Sequence, residues 1–448
     1  MLIEKLRSWV KVLMRPRKMR IMNFAVVERI KMKYLLRKNK NNRILYESLL
    51  MFFAEGIGLS FMLFIYLIRP KMLSIDEIGL IGYVLSLVSF FSTFFIFGVD
   101  NTGARLIITH EDENSKKRIA GLTLLIGILL SFLYSIFMFI VSFFVPFFGD
   151  PQAAILIRIT LPFVGYNIIL AIYNQVCYAL GRIKEASVQL ALYSMIYFVL
   201  MIAMYYIGIF NVRSAVIVEY GTRMLVVLVP VVIIYFKYLR FYKEEWQEFK
   251  KEQKERGWTI YFSRIIFFPT LGIDSLILGY FYPLASVAHY TLSNTISAPI
   301  NVIGNSLSQS LYRRFSNKNK IDNKYIMYLV LVTLASCIGC YGISFVVIKY
   351  FLGNEYMPMI YILPVTILSY AIRGVTTLYT SFMNAKGMAK EIRNCAVMGF
   401  IGNILFSFAL IIPFGAIGGA VSRVIVLGVN LGMRVFYCGK YHKLEGEV

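Results

Sequence analysis

Long blocks of apolar residues, separated by short basic connections, constrain this chain more than any other feature of its sequence. The block at residues 118–147, for example, contains one charged residue, Arg118. Because about 20 helical residues at a rise of ~1.5 Å cross the hydrocarbon layer, such blocks predict membrane-spanning helices. The composition agrees, since 58% of the residues are hydrophobic and 16% are charged, whereas soluble domains carry about 25% charged residues. We predict an all-α polytopic membrane protein.

The apolar blocks predict twelve transmembrane helices in two lobes of six. The longest internal break, residues 240–258, is rich in charged residues and separates the two lobes. The predicted regions are a basic N-terminal segment (1–45), a first six-helix lobe (46–239), a cytoplasmic linker (240–258), a second six-helix lobe (259–439) and a cytoplasmic tail (440–448). The predicted spans are residues 46–69, 77–98, 118–147, 154–179, 187–209, 214–238, 259–280, 285–312, 326–351, 356–384, 390–412 and 415–438.

The distribution of Lys and Arg among the short loops predicts the orientation. One predicted side receives the basic N-terminal segment, Lys116 and Lys117, and the charged linker, whereas the opposite loops hold little beyond Lys71, Arg213 and Lys349. Because basic loops remain in the cytoplasm, both termini are predicted to be cytoplasmic in a plasma membrane. The net charge of +23 is then explained by topology and anionic lipid headgroups, and no nucleic-acid partner is predicted.

The first 45 residues form a strongly basic segment. They contain fourteen Lys or Arg residues against two Glu. Apolar residues such as Trp9 and Leu13 are interspersed, which favours an interfacial helix drawn to anionic lipid. A disordered basic extension that merely enforces orientation is the alternative, and the sequence does not decide between the two.

Cysteine and histidine usage predicts neither a metal site nor a cofactor. The five cysteines have no framework spacing, and the pair Cys337 and Cys340 lies inside an apolar run without a nearby histidine. The three histidines, His110, His289 and His442, are far apart along the chain. Packing is therefore the preferred role for the Cys337 and Cys340 pair.

Short motifs follow one another in a defined order after residue 45. They are Leu73–Tyr83 leading to Phe97–Leu106, then Cys177–Ala186, then Gly272–Tyr280 with Val287–Tyr290, and last Phe351–Tyr356, Asn384–Gly387 and Ile412–Ala420. In these stretches the chain resembles the polysaccharide and O-antigen flippase family, within the larger group of lipid II flippases and multidrug exporters. It departs from the family pattern in its long basic N terminus and in His289, where the family usually has glycine.

This resemblance implies two six-helix bundles around a central cavity, working by alternating access. It also implies a cargo, a polyprenyl- or dolichyl-diphosphate-linked oligosaccharide moved from the cytoplasmic to the external leaflet. Glycosyltransferases of the same pathway would be partners, and a cation or proton would be a possible coupling ion.

Charged residues inside the predicted spans should face a wet cavity or each other. They are Glu55, Arg158, Glu219, Arg223, Arg264, Asp274, Arg373 and Arg423. Each would cost about 2.5–3.5 kcal/mol at the bilayer centre even on a mild scale. Glu219 and Arg223 are four residues apart, so an internal ion pair is predicted. Glu55 and Asp274 are candidates for binding a coupling ion, with packed, satisfied acids as the alternative.

Arg373 is the preferred candidate for contacting the cargo. It lies in a polar stripe of the tenth span with Thr366, Ser369, Thr377, Thr380 and Asn384. The eighth span carries a similar stripe of Asn294, Ser297, Asn301, Asn305 and Ser308, with Pro299 expected to kink it. The planar guanidinium group grips two phosphate oxygens together, so an arginine in a polar path suits a diphosphate. The alternative is a structural ion pair with an acid on a neighbouring helix.

Three further arginines, Arg158, Arg264 and Arg423, are candidates for the same cavity, although each lies near enough to a span end to snorkel instead. Two other functions compete with flipping. A cation-coupled multidrug exporter would share the fold, but its cavity should present acids and aromatic rings. A membrane-bound glycan polymerase or ligase should carry a sizeable external loop, and the segment Arg69–Asp76 is too short for one. We therefore predict that the protein is not an enzyme.

Overall fold

The computed structural model describes residues 56–258, 261, 272–316 and 320–446, and within these ranges the chain is helical without strands. All of them belong to the compact unit Ala54–Val448. The other unit, Met1–Phe53, lies outside the described residues, and so do the predicted basic segment, Glu55, Arg264 and most of the seventh span. The predicted all-α class is confirmed.

The number of twelve transmembrane spans stays a prediction, and the described residues form a succession of helices. They are α1 (residues 56–68), α2 (Ile75–Phe94), α3 (Val99–Thr109), α4 (Glu113–Phe148), α5 (Pro151–Thr160), α6 (Tyr166–Ala179), α7 (Ile183–Ile207), α8 (Val212–Tyr235), α9 (Lys243–Glu252), α10 (Ile273–Phe281), α11 (Leu284–Ser297), α12 (Ile300–Ser316), α13 (Asn323–Val347), α14 (Met359–Ala385) and α15 (Ala389–Gly446). The predicted kink at Pro299 is confirmed as the break between α11 and α12.

Six helical stretches of the described chain are long and apolar enough to cross a membrane. One of them, Lys390–His442, contains two predicted spans, because the backbone of α15 leaves helical geometry at Gly415 (φ 57°). The two parts of α15 then run back along each other, since Gly402 approaches Val426 and Gly399 approaches Asn430. Large apolar side chains remain exposed on the outside, including Phe132 at 68% and Ile338 at 75%. Such a surface is suited to lipid contact.

Short polar signals position the helix ends. Ser74 caps α2 in a reciprocal arrangement with Glu77, and Asp112 caps α4 by accepting a hydrogen bond from the Ser115 amide. These caps satisfy amide groups that a helix start leaves without partners. The alternating helices define two ends of the bundle, which we name the Asp76 side, where α2 begins, and the Glu252 side, where α9 lies.

The predicted linker forms helix α9, which is docked against α3 and α4 on the Glu252 side. Arg105 forms a salt bridge with Glu252 at 3.0 Å, and Arg118 lies 3.4 Å from Glu245. Beyond the helix, the Gln253 side-chain amide donates to the carbonyl of Phe97 at 2.6 Å. The linker is thus an ordered part of the first half of the described molecule, which comprises residues 56–258.

The second half comprises the described residues from 272 to 446, and it meets the first half on the Asp76 side through α2 and α11. Gly79 of α2 lies directly against the backbone of Leu284, so closely that a Cβ atom there would overlap the Leu284 carbonyl group. The Ala285 amide donates to Asp76 Oδ1 at 3.1 Å. Glycine permits this close approach because it has no Cβ atom. The α2–α11 contact therefore closes the Asp76 side in this conformation.

We expect Gly79→Ala to destabilise this conformation by about 1–3 kcal/mol, because the added methyl group overlaps backbone atoms that have little freedom to move. Gly342→Ala on α13 is the matched control, since a Cβ atom there meets nothing within 4 Å. The measurements are thermal unfolding in detergent and the yield of a disulfide between cysteines placed at positions 76 and 285. Equal midpoints and cross-linking yields for both variants would refute the tight contact.

Candidate functional site

A polar cavity of about 390 Å³ lies within the second half of the molecule, between α14 and the two parts of α15. We name it the arginine cavity, because its lining includes Arg373, Arg423 and Arg434. The other polar lining residues are Ser369, Tyr370, Thr376, Thr377, Thr380, Asn403 and Asn430. No acidic side chain is among the described residues that line it. Its formal charge is therefore strongly positive.

Arg373 faces the arginine cavity with an exposed side chain. Within the described ranges Arg373 forms no salt bridge. The alternative role, a structural ion pair, therefore has no acidic partner there. Three other members of the predicted polar stripe of Arg373, namely Ser369, Thr377 and Thr380, line the same cavity. Thr366 instead is fully buried and hydrogen-bonds Ser297 at 2.9 Å. The stripe is thus partly cavity lining and partly helix contact.

Arg423 has partners on two other helices. Its Nη1 atom donates to the Asn294 side-chain oxygen at 2.6 Å, and its Nη2 atom lies 3.8 Å from Asp274 Oδ2. Asp274 is 1% exposed and accepts hydrogen bonds from Ser407 at 2.6 Å and from the Tyr290 hydroxyl at 2.7 Å. Both carboxylate oxygens of Asp274 therefore already have donors. Its role toward a coupling ion stays a prediction.

Arg434, Asn403 and Asn430 are cavity residues that the sequence prediction missed. Asn403 and Asn430 are buried at 3% and 7% exposure, and the Asn403 side-chain nitrogen has no hydrogen-bond partner within the described chain. Arg434 Nη1 donates to Asn430 Oδ1 at 2.8 Å. The sequence did contain a signal for them. Asn430 and Arg434 lie seven and eleven residues after Arg423, a spacing that places the three on one face of a helix.

A second cavity of about 250 Å³ lies between the two halves, and we name it the interlobe cavity. The first half contributes Tyr66 and Arg69 to its lining, and the second half contributes Asp274, Tyr290 and Asn294, among others. Arg423 and Tyr370 line both cavities. The two spaces are therefore neighbours that share these two side chains.

Behind the interlobe cavity, Glu219 joins two arginines in a buried cluster, the Glu219 cluster. Glu219 Oε2 lies 2.7 Å from Arg69 Nη2, and Glu219 Oε1 lies 2.9 Å from Arg223 Nη2. Arg69 also hydrogen-bonds the hydroxyl of Tyr197, and Arg223 stacks over Tyr193 at 4.3 Å. The predicted Glu219–Arg223 pair is confirmed. Arg69 was missed, because its position at the end of the first span was interpreted as a loop.

The remaining predicted site residues lie elsewhere. Arg158 hydrogen-bonds Ser142 at 3.0 Å and stacks over Phe143 at 4.4 Å, outside both cavities. Asn301 has a buried side-chain oxygen without a hydrogen-bond partner in the described chain. Neither Asn301 nor Asn305 lines the two cavities. Arg264 and Glu55 are outside the described residues.

Comparison with known proteins identifies the family. The family model described as "Polysaccharide biosynthesis protein" matches residues 45–319. The chain belongs to this family. No curated protein matches the sequence.

Solved structures similar to this family member share its fold. The structure of "Lipid II flippase MurJ, inward closed conformation" has a TM-score of 0.67 at 16% identity, covering 88% of this chain and 87% of that chain. An inward-facing multidrug resistance MATE family transporter of the MOP superfamily has a TM-score of 0.63 at 14% identity, covering 88% and 96%. A MOP superfamily transporter from Pyrococcus furiosus, described as having a binding pocket of reverse polarity, has a TM-score of 0.53 at 13% identity, covering 91% of this chain and 98% of that chain. At such identities the similarity shows the fold alone.

Proposed function

We propose that this protein is a flippase that moves a polyprenyl- or dolichyl-diphosphate-linked oligosaccharide across a membrane by alternating access. The observation that carries the proposal is the arginine cavity, in which three arginines face a common space without an acidic lining residue among those described. Membership of the polysaccharide biosynthesis family supports a glycan cargo. The similarity to the structure of a lipid II flippase supports transport of a lipid-linked substrate.

The lining of the arginine cavity suits both parts of such a headgroup. Guanidinium groups form short, charge-assisted hydrogen bonds with phosphate oxygens and grip two of them at once. The side-chain amides of Asn403 and Asn430 and the hydroxyls of Thr377 and Thr380 offer donors and acceptors to sugar hydroxyl groups. A cavity of this polarity attracts diphosphates and repels lipophilic cations, which is the opposite of what a cation exporter needs.

Thermal stabilisation by ligands tests the proposal against the exporter alternative. Purified protein is heated in detergent with a short-chain polyprenyl diphosphate disaccharide, or with a lipophilic cation such as ethidium. We expect the diphosphate to raise the unfolding midpoint in a concentration-dependent way, since binding to the folded state alone stabilises it. The cation should have no effect. Stabilisation by the cation and not by the diphosphate would overturn the proposal in favour of a multidrug exporter.

The proposed location is the plasma membrane, with the Glu252 side in the cytoplasm. This orientation is supported by the loop bias of Lys and Arg, and it leaves the Asp76 side closed toward the exterior in the present conformation. Pathway glycosyltransferases would then supply cargo at the cytoplasmic leaflet. The proposed role is transport of the glycolipid without chemical change.

Single cysteines in a background with the five native cysteines replaced test this orientation. We expect cysteines at Asn114 and Lys251 to resist an impermeant thiol reagent added to intact cells, and a cysteine at Gln152 to react. All three side chains are exposed, so protein burial does not explain a difference in labelling. Permeabilised cells provide the control, in which all three positions should react. Labelling of position 251 in intact cells would reverse the proposed orientation.

A further inference from the structure

The interlobe cavity contains a buried arginine with unused hydrogen-bonding capacity. Arg69 is 3% exposed, and its Nη2 atom is held by Glu219 and Tyr197. Its Nε atom is buried without a hydrogen-bond partner among the described residues. Burying a guanidinium donor without an acceptor is costly. Arg69 lines the interlobe cavity, and both hydrogen bonds that it donates within the described chain come from Nη2, so its guanidinium group retains donors for a ligand in that cavity.

The charges around the two cavities exceed the charge of a diphosphate. Five arginines line the cavities or form the Glu219 cluster, namely Arg69, Arg223, Arg373, Arg423 and Arg434. The acids in the same set of described residues are Glu219 and Asp274, which leaves a formal excess of three positive charges. A diphosphate diester carries roughly two negative charges, so on the order of one positive charge remains to be matched by the cargo.

The surplus falls on the Arg69 side of the interlobe cavity. Glu219 is shared by two arginines, Arg69 and Arg223, so the Glu219 cluster keeps one uncompensated positive charge. On the opposite wall Asp274 faces Arg423 at 3.8 Å and offsets its charge. The other lining residues include hydroxyls and aromatic rings, such as Tyr66, Ser86 and Thr291, beside aliphatic side chains. Aromatic faces and hydroxyls of this kind suit sugar rings.

We propose that the interlobe cavity is a subsite for an acidic sugar, and that Arg69 binds the carboxylate of this sugar. This inference rests on the proposed flippase function. The diphosphate occupies the arginine cavity, and the adjoining sugars extend past Arg423 and Tyr370, which line both spaces. The cargo is therefore a glycan that carries a carboxylate close to its diphosphate end, such as one containing a uronic acid. Arg69 is the specificity-determining residue, and Arg373 serves all cargoes alike.

Paired synthetic ligands test this subsite. Farnesyl diphosphate disaccharides that differ only in a second sugar, glucose or glucuronic acid, are titrated against the full-length protein in nanodiscs. We expect the acidic ligand to bind about tenfold more tightly than the neutral one, as is typical of a hydrogen bond to a charged group. Free glucuronate should show no measurable binding, and it should not compete with the acidic disaccharide ligand. Competition by free glucuronate would assign the cavity to a soluble acid and overturn the cargo role.

Variants separate the acidic-sugar subsite from the diphosphate site. Arg69→Gln alone leaves Glu219 with one arginine, so the double variant Arg69→Gln/Glu219→Gln is measured beside it, because it removes a positive and a negative charge together. Both should lose the tenfold preference while retaining the affinity for the neutral ligand. Arg373→Gln should weaken both ligands equally. Equal affinities of both ligands for the unmodified protein would refute the subsite and leave the flippase proposal intact, whereas failure of both ligands to bind folded protein would refute the flippase proposal itself.

Discussion

Arg373→Ala is expected to reduce flipping of lipid-linked oligosaccharide by at least about tenfold while the protein remains folded, because the variant loses a charge-assisted contact to the diphosphate. Arg373 is exposed to the arginine cavity and forms no salt bridge within the described chain, so its removal leaves no buried acid unpaired there. Arg373→Lys should restore flipping only in part, since one ammonium group does not reproduce the two-pronged contact. The measurements are a flipping assay in proteoliposomes and thermal unfolding of each variant.

Arg158→Ala is the matched control for this prediction. Arg158 is also an exposed arginine of a predicted span, but it stacks over Phe143 outside both cavities. We expect flipping by this variant to stay within about twofold of the unmodified protein, because a contact to Phe143 touches no cargo. Unchanged flipping with Arg373→Ala would refute its contact with the diphosphate. Unchanged flipping with a lowered unfolding midpoint would instead assign Arg373 a structural role.

Glu219→Gln is expected to lower the free energy of unfolding by about 3–5 kcal/mol, the range found when one partner of a buried ion pair is removed. Glu219 is 1% exposed and holds Arg69 at 2.7 Å and Arg223 at 2.9 Å. Without its carboxylate, two neighbouring guanidinium groups repel each other in a buried setting. Adding Arg69→Gln should recover part of the loss, because one of the two positive charges is removed as well.

Glu248→Gln provides the comparison for the Glu219 prediction. The Glu248 side chain is 53% exposed and pairs with His110 on the Glu252 side. An exposed pair of this kind contributes about 0–1 kcal/mol, so the unfolding transition in detergent should shift little. Similar small shifts for Glu219→Gln and Glu248→Gln would contradict the view that the Glu219 cluster stabilises the first half of the molecule.

The fold was predictable because the dominant interaction is local in sequence. An uninterrupted apolar block such as residues 118–147 has few stable alternatives to a spanning helix, since lipid leaves backbone groups nothing else to bond with. The observed α4, Glu113–Phe148, follows directly. The break at Gly415 and the break at Pro299 were similarly visible in the sequence as interruptions.

The site was only partly predictable, because cavity lining depends on which helix faces meet. Arg373 and Arg423 were identified from the cost of charge inside a span, and both line the arginine cavity. Arg158 satisfied the same criterion, yet α5 turns it toward Phe143. Arg69 sits at the end of a span, where a charge is inexpensive, and its burial arises only through contacts with α7 and α8. Periodicity identifies one helix face and carries no information on the neighbour that covers it.

Transport in a reconstituted system measures the proposed flipping activity itself. The protein is placed in proteoliposomes with a fluorescent polyprenyl diphosphate oligosaccharide, and an enzyme or quencher added outside reports how much cargo reaches the outer leaflet. We expect the unmodified protein to expose the inner-leaflet pool, and Arg373→Ala to slow this exposure by at least about tenfold relative to Arg158→Ala at equal protein content. Exposure of the cargo no faster than in protein-free liposomes, by folded protein, would contradict the assignment as a flippase.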